Sequence, residues 1–154
     1  MRKILAATAT LGLAGLGVIV PATGAQAATT CDKAWNNARS GYFYAYDGQN
    51  CIGNIGSTDS WDSDYGNSSG PFQGSDTNRA SSILHKGTSG LAVQVFNGTG
   101  QDWSGGHTCI KKSEYYMSDL VGDSFTSGKK YLVNNGISSH RWVPEDKCDR
   151  FLDS

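Results

Sequence analysis

Apolar and polar positions alternate in two short runs. In Gly41-Tyr42-Phe43-Tyr44-Ala45-Tyr46, the residues Tyr42, Tyr44 and Tyr46 fall on one face of an extended chain. In Leu91-Ala92-Val93-Gln94-Val95-Phe96, Leu91, Val93 and Val95 do the same. A period of two in aromatic and β-branched residues predicts strands. Each run ends on a turn signal, Asp47-Gly48 in the first and Asn97-Gly98 in the second. Lys129-Lys130-Tyr131-Leu132-Val133 predicts a further strand, while Glu114 to Val121 has no clear period and reads as a helical turn or another strand. The polar stretch from Asn54 to Thr77 is long for a connection, and Trp61, Tyr65 and Phe72 are its expected anchors, so it reads as an ordered loop. Short strands, glycine turns and the lack of a long helical pattern give an antiparallel all-β domain.

The two halves repeat one another. Asn78-Arg79-Ala80-Ser81-Ser82-Ile83 returns about 57 residues later as Asn135-Gly136-Ile137-Ser138-Ser139-His140, preceded by Asn134. Tyr46, Cys51 and Gly53 of the first half stand against Phe96, Trp103 and Gly105 of the second, which carries a two-residue insertion. A duplicated unit in the same order points to a scaffold rather than a catalytic site.

The first 27 residues read as a signal peptide. Arg2 and Lys3 precede an apolar run from Ile4 to Val20, then Pro21 and the small-residue triplet Ala25-Gln26-Ala27. Cleavage after Ala27 leaves residues 28–154 as one domain, with repeat one at about 41–85, repeat two at about 90–143 and a tail at 144–154. Without Arg2 and Lys3, 11 basic residues stand against 14 acidic ones. That balance offers no basic stripe for nucleic acid and no attraction to an anionic membrane. Four cysteines, Cys31, Cys51, Cys109 and Cys148, in a small secreted chain imply two disulfides with three pairings open. Pairing in chain order keeps each bridge within one repeat.

At the aligned hairpins the sequence resembles the βγ-crystallin superfamily. Its Greek-key motif runs aromatic, gap, aromatic, any residue, glycine, with a later serine folded back over the hairpin. The matching positions are Tyr46, Cys51, Gly53 and Ser82, then Phe96, Trp103, Gly105 and Ser139. The resemblance covers roughly residues 41–143 and implies two Greek keys forming a sandwich. Microbial members often bind calcium through Asn/Asp, Asn/Asp, two variable residues, Ser/Thr, Ser. Asn134 to Ser139 satisfies all six positions, and Thr77 to Ser82 departs at the first.

By that resemblance Asn78 and Ser81 of one loop, and Asn135 and Ser138 of the other, are candidate calcium ligands, with backbone carbonyls such as those of Arg79 and Gly136 completing each shell. Calcium takes about six to eight oxygens, and neutral ligands imply a weak site, roughly 10⁻⁴ to 10⁻³ M. The competing explanation is that these Asn and Ser side chains brace the local backbone. Within the superfamily, the leader, the few cysteines and the Ser138-Ser139-His140-Arg141-Trp142 ending are similar to the secreted actinomycete peptidase-inhibitor family. Its founding type inhibits thermolysin-like metalloproteinases, and a neighbouring group resembles a yeast killer toxin and acts on fungal cells.

Other constellations carry less. Asp62-Ser63-Asp64-Tyr65-Gly66 opens like a calcium loop, but Gln73 stands where an EF-hand needs its bidentate glutamate. Asp59, Asp62 and Asp64 then read as a solvated loop. His85, His107 and His140 are scattered and form no HExxH arrangement. Trp61, Trp103 and Trp142 could stack sugars, but packing is the simpler role for tryptophan in a small core. The expectation is a secreted, non-enzymatic monomer that binds an extracellular protease through Asn54 to Gln73 or Asn97 to His107. The alternatives are a weak calcium-binding structural module and a killer-toxin-like or cell-wall-binding protein.

Overall fold

The computed structural model describes residues 29–126 and 131–153. The expected leader lies outside them, as do Lys129 and Lys130 of the strand predicted at 129–133. The chain opens with helix α1 (Thr30–Asn37) and continues through seven strands: β1 (Phe43–Gly48), β2 (Ile52–Thr58), β3 (Ser82–His85), β4 (Ala92–Phe96), β5 (His107–Ile110), β6 (Tyr116–Met117) and β7 (Ser139–Val143). All strand pairs are antiparallel. One sheet has the order β2-β1-β3-β6 and the other β5-β4-β7.

Each half lends backbone to the sheet of the other, which is what makes the repeats Greek keys. β6, from the second half, pairs with β3 through Ile83 and Met117. Asp62, from the first half, bridges to His140 on the outer side of β7. The two sheets close over one core. Phe43, Ala45 and Ile83 from the first sheet join Val93, Val95 and Ile110 from the second, with Tyr65 and Phe72 reaching in from the long loop. Strand β2 takes Asn54 to Thr58 of the stretch expected to be loop. The rest is ordered as its aromatic content predicts, but Trp61 is 48% exposed and does not anchor it. Gly56 is one reason Phe72 fits, since a Cβ there would lie 2.4 Å from the Phe72 ring.

The alternation in β1 sends Tyr44 and Tyr46 to the opposite face, where Leu84, Cys31, Cys51, Trp35 and Tyr116 pack with them. That layer lies under α1, an element the strand-centred sequence reading did not anticipate. Its start is capped reciprocally: the Thr29 hydroxyl accepts from the Asp32 N–H, and the Asp32 carboxylate accepts from the Thr29 N–H. The cysteines are paired Cys31–Cys51 and Cys109–Cys148, in chain order. Segment 114–121 resolves into a 3₁₀ turn, Lys112–Glu114, and the two-residue strand β6. The predicted strand at 129–133 reduces, in its described part, to a single bridge between Leu132 and Ser124. No helix among the described residues is long and apolar enough to cross a membrane.

Candidate functional site

The repeated phrases form two loops that face each other across a pseudo-twofold relation. Ser81 N–H donates to the Tyr46 carbonyl and Ser138 N–H to the Phe96 carbonyl, each at 2.8 Å, so each phrase is tied to the end of its own half's hairpin strand. The next serine folds over that hairpin. Ser82 Oγ donates to the Gly48 carbonyl at 2.7 Å, and Ser139 Oγ to the Gly98 carbonyl at 2.6 Å. Three matched pairs of residues take positive φ: Cys51 and Trp103 at 58° and 53°, Gly53 and Gly105 at 71° and 96°, Asn78 and Asn135 at 56° and 53°. Left-handed backbone is rare for non-glycine residues and easiest for asparagine. Its recurrence at equivalent positions is the duplication written in the backbone.

The loops exchange partners. Asn78 N–H donates to the Ile137 carbonyl and Asn135 N–H to the Ala80 carbonyl, both at 2.9 Å. Ser138 Oγ donates to Asn78 Oδ1 at 3.0 Å, and Ser81 Oγ donates to Asn135 Oδ1 at 3.1 Å. The resemblance grouped Asn78 with Ser81 and Asn135 with Ser138. In the fold Asn78 stands with Ser138, and Asn135 with Ser81. The cause is topological, because each loop's backbone is bonded to the other loop rather than folded on itself.

The pairs are not equivalent. Thr77 Oγ1 donates to Ser138 Oγ at 3.2 Å, filling the first position of the weaker phrase with a hydroxyl that already has a partner. Its counterpart Asn134 holds a buried Oδ1 with no hydrogen-bond donor among the described residues. Such an orphaned oxygen is costly unless something electropositive faces it. Asn78, Asn97, Asn134, Asn135 and Gly136 border a surface hollow of about 370 Å³. Asn134 was part of the sequence phrase but not among the candidate ligands, and only its burial singles it out.

The acidic and histidine candidates lie elsewhere. Among the described residues, no group of three or more His, Cys, Asp or Glu is arranged to hold a metal ion. Asp62 is buried rather than solvated. Its oxygens accept from the N–H groups of Asp64 at 3.0 Å and Phe72 at 3.2 Å, and burial raises its pKa. Asp59 is exposed, and Asp64 Oδ1 accepts from the Gly66 N–H at 2.8 Å.

His140 lies in the core between Tyr65, whose hydroxyl bonds Nδ1 at 2.6 Å, and the Ser60 carbonyl, 3.1 Å from Nε2. Complete burial lowers its pKa to about 3, so it stays neutral, with Nδ1 accepting and Nε2–H donating. His85 bonds the Leu91 carbonyl at 2.8 Å, and His107 faces Asp149 at 3.3 Å. The three histidines therefore serve three separate surroundings.

No protein-family model matches the chain, and no curated protein matches it in sequence. A solved structure described as "Evolution of the eye lens beta-gamma-crystallin domain fold" superimposes with a TM-score of 0.50 at 18% identity, over 70% of this chain and 90% of that one. With two antiparallel sheets, exchanged edge segments and serine-latched hairpins already in view, the match identifies the architecture: the chain has a βγ-crystallin-like fold.

Proposed function

We propose that this chain is a secreted, non-catalytic βγ-crystallin-like module whose crossed asparagine–serine loops bind calcium weakly and are stiffened by it. The observation that carries this reading is the exchange of Asn78 with Ser138 and Asn135 with Ser81, at oxygen–oxygen distances of 3.0 and 3.1 Å. Neighbouring oxygens in a shell with calcium–oxygen distances of about 2.3–2.6 Å stand roughly 3 Å apart, so the loops need little rearrangement to share an ion. The buried Asn134 Oδ1, lacking a donor, adds an oxygen beside the Asn135 loop. Neutral ligands keep the affinity in the weak extracellular range. Two disulfides support an oxidising, extracellular compartment.

The test is thermal melting of the oxidised protein in chelator and in about 5 mM calcium, a level above the weak range of extracellular modules. An ion that binds only the folded state raises Tm by mass action. A rise of several degrees, absent with magnesium, is the expected result. Identical melting curves overturn the reading.

A second reading, inhibition of an extracellular peptidase, draws on the bracing of the two candidate loops. Gly100 N–H donates to the Ser63 carbonyl at 2.8 Å, tying segment 97–107 to segment 54–73, and Asn97 Oδ1 accepts from the Gly106 N–H at 2.9 Å. A preformed loop enters a protease cleft with less loss of conformational entropy. Excess protein should slow thermolysin-like, subtilisin-like or trypsin-like enzymes, and no effect on any of the three removes this reading.

A further inference from the structure

All four tryptophans of the chain, Trp35, Trp61, Trp103 and Trp142, border surface grooves that share lining residues from one to the next. The first, of about 520 Å³, lies among Trp61, Trp103 and Trp142, with polar groups from Asp59, Gln101 and Arg141. Asp59 and Trp142 also border a second groove of about 380 Å³. Its Thr88 leads to a third, of about 340 Å³, which reaches Trp35 and Tyr115. Those two rings then border a fourth, of about 550 Å³.

Packing accounts for only part of this arrangement. Trp142 is fixed by its indole N–H, which donates to the Ser60 carbonyl at 2.9 Å, and by an edge contact with His85. Gly87 makes room for it, since a Cβ there would lie 2.6 Å from the indole ring. Trp103 lies against Phe96, with the Arg141 guanidinium 5.1 Å from its ring. Trp61 meets Trp103 edge-on at 6.1 Å and is otherwise exposed, as is Tyr115. Tyr115 is held at a φ of 60° that has no counterpart in the first repeat. Such backbone strain persists only where the surroundings impose it. The Trp35 Nε1–H is buried and has no hydrogen-bond partner among the described residues. The grooves thus combine fixed and exposed rings, while the Trp35 ring is covered by the Lys86 ammonium, 3.1 Å from its centre.

The chemistry selects one class of ligand. A pyranose ring presents C–H groups on its face, which the electron-rich face of an aromatic ring attracts, and hydroxyls around its rim, which need hydrogen-bonding partners. The two grooves bordered by Trp142 supply aromatic surface with an amide, a carboxylate, a guanidinium and hydroxyls beside it, and no block of like charge. The two that reach Trp35 instead set Lys86 beside Lys112 and Asp32 beside Glu114. Each groove has a volume typical of a small-molecule site, and their succession suits a polymer. We infer that the grooves bordered by Trp103, Trp61 and Trp142 bind a neutral, linear polysaccharide.

The experiment has two arms. The oxidised protein is incubated with insoluble cellulose, chitin and β-1,3-glucan, and the matching soluble hexasaccharides are titrated against its tryptophan fluorescence. The polymer retained identifies the source of the glycan. Trp61→Ala and Trp103→Ala should each weaken binding at least tenfold. Trp61 is exposed, so its variant should melt as the parent does. Ile52→Ala, at an exposed position outside these grooves, should bind unchanged. Retention on none of the polymers together with unaltered fluorescence overturns the inference. So does binding that survives both tryptophan substitutions.

Discussion

Ser138 Oγ donates to Asn78 Oδ1 at 3.0 Å, a contact between repeats across 60 residues of sequence. Its mirror, Ser81 Oγ to Asn135 Oδ1, spans 54 residues. The crossed pairing predicts a pattern of energetic coupling that a within-loop grouping does not. Measured in chelator, Asn78→Ala and Ser138→Ala should each destabilise by about 1–2 kcal/mol. The first loses a hydrogen bond and a residue suited to φ 56°, the second its bonds to both Asn78 and Thr77. Together they should cost less than their sum, by about 0.5 kcal/mol or more. Asn78→Ala with Ser81→Ala, which touch different partners, should come close to additive. Urea denaturation of the singles and doubles gives both values, and coupling confined to the within-loop pair would refute the crossed arrangement.

The hairpin serines are not equal. Ser82 Oγ donates to the Gly48 carbonyl and also accepts from the Cys51 N–H at 3.0 Å, so it satisfies two backbone groups. Among the described residues Ser139 Oγ is bonded to the Gly98 carbonyl alone. Ser82→Ala strands two buried groups and should cost about 2–3 kcal/mol, Ser139→Ala about 1–2 kcal/mol. Denaturant midpoints at constant slope measure the difference. Equal losses would mean that the Cys51 N–H finds another partner.

The fold was legible in the sequence to the extent that it is local and repeated. Period-two runs located β1 and β4, and the matched aromatic, glycine and serine positions located the latched hairpins, because turn chemistry and positive φ are set by neighbouring residues. What depends on the other half was not. The exchange of Asn78 with Ser138 arises only when the hairpins pack, and the spacing within one phrase carries no sign of it. Trp61 reads as a core residue by composition, but it lies on the rim because Tyr65 and Phe72 already fill the space beneath the loop. Helix α1 did leave a signal, the Thr29-x-x-Asp32 capping pattern, but it is too short for helical periodicity to stand out. Its place is fixed by Tyr116, whose hydroxyl donates to Asp32 Oδ1 at 2.6 Å and holds that carboxyl below its usual range.

The two disulfides brace different things. Cys31–Cys51 ties α1 to the end of the first hairpin across 20 residues, whereas Cys109–Cys148 ties β5 to the C-terminal segment across 39. On the chain-entropy account each is worth roughly 3–4 kcal/mol. Replacing Cys31 and Cys51 with Ser should remove about that much and release α1 from the Tyr44–Tyr46 face. Because Trp35 packs there against Tyr115 and Lys86, its fluorescence should change while the signals of the β4–β7 sheet persist. Loss of both sets of signals together would show that the helix is integral to the whole fold.

Acid should weaken the protein before its carboxylates titrate. Burial lowers the His140 pKa to about 3 from the ordinary 6.5, and lowers that of His85 as well. Between those limits the unfolded chain binds the proton that the native core refuses, so stability is fully present above about pH 6.5 and falls as the pH drops toward 3. From pH 7.5 to 5.5, His140 alone should remove about 1.4 kcal/mol. Asp62, whose pKa burial raises, acts with the opposite sign and only as its own carboxyl protonates. The urea midpoint at the two pH values measures the loss, and the His140 ring signals in NMR should remain those of the neutral, Nε2-protonated form throughout. Titration of His140 near 6.5 in the native protein would mean that Tyr65 and Ser60 do not enclose it.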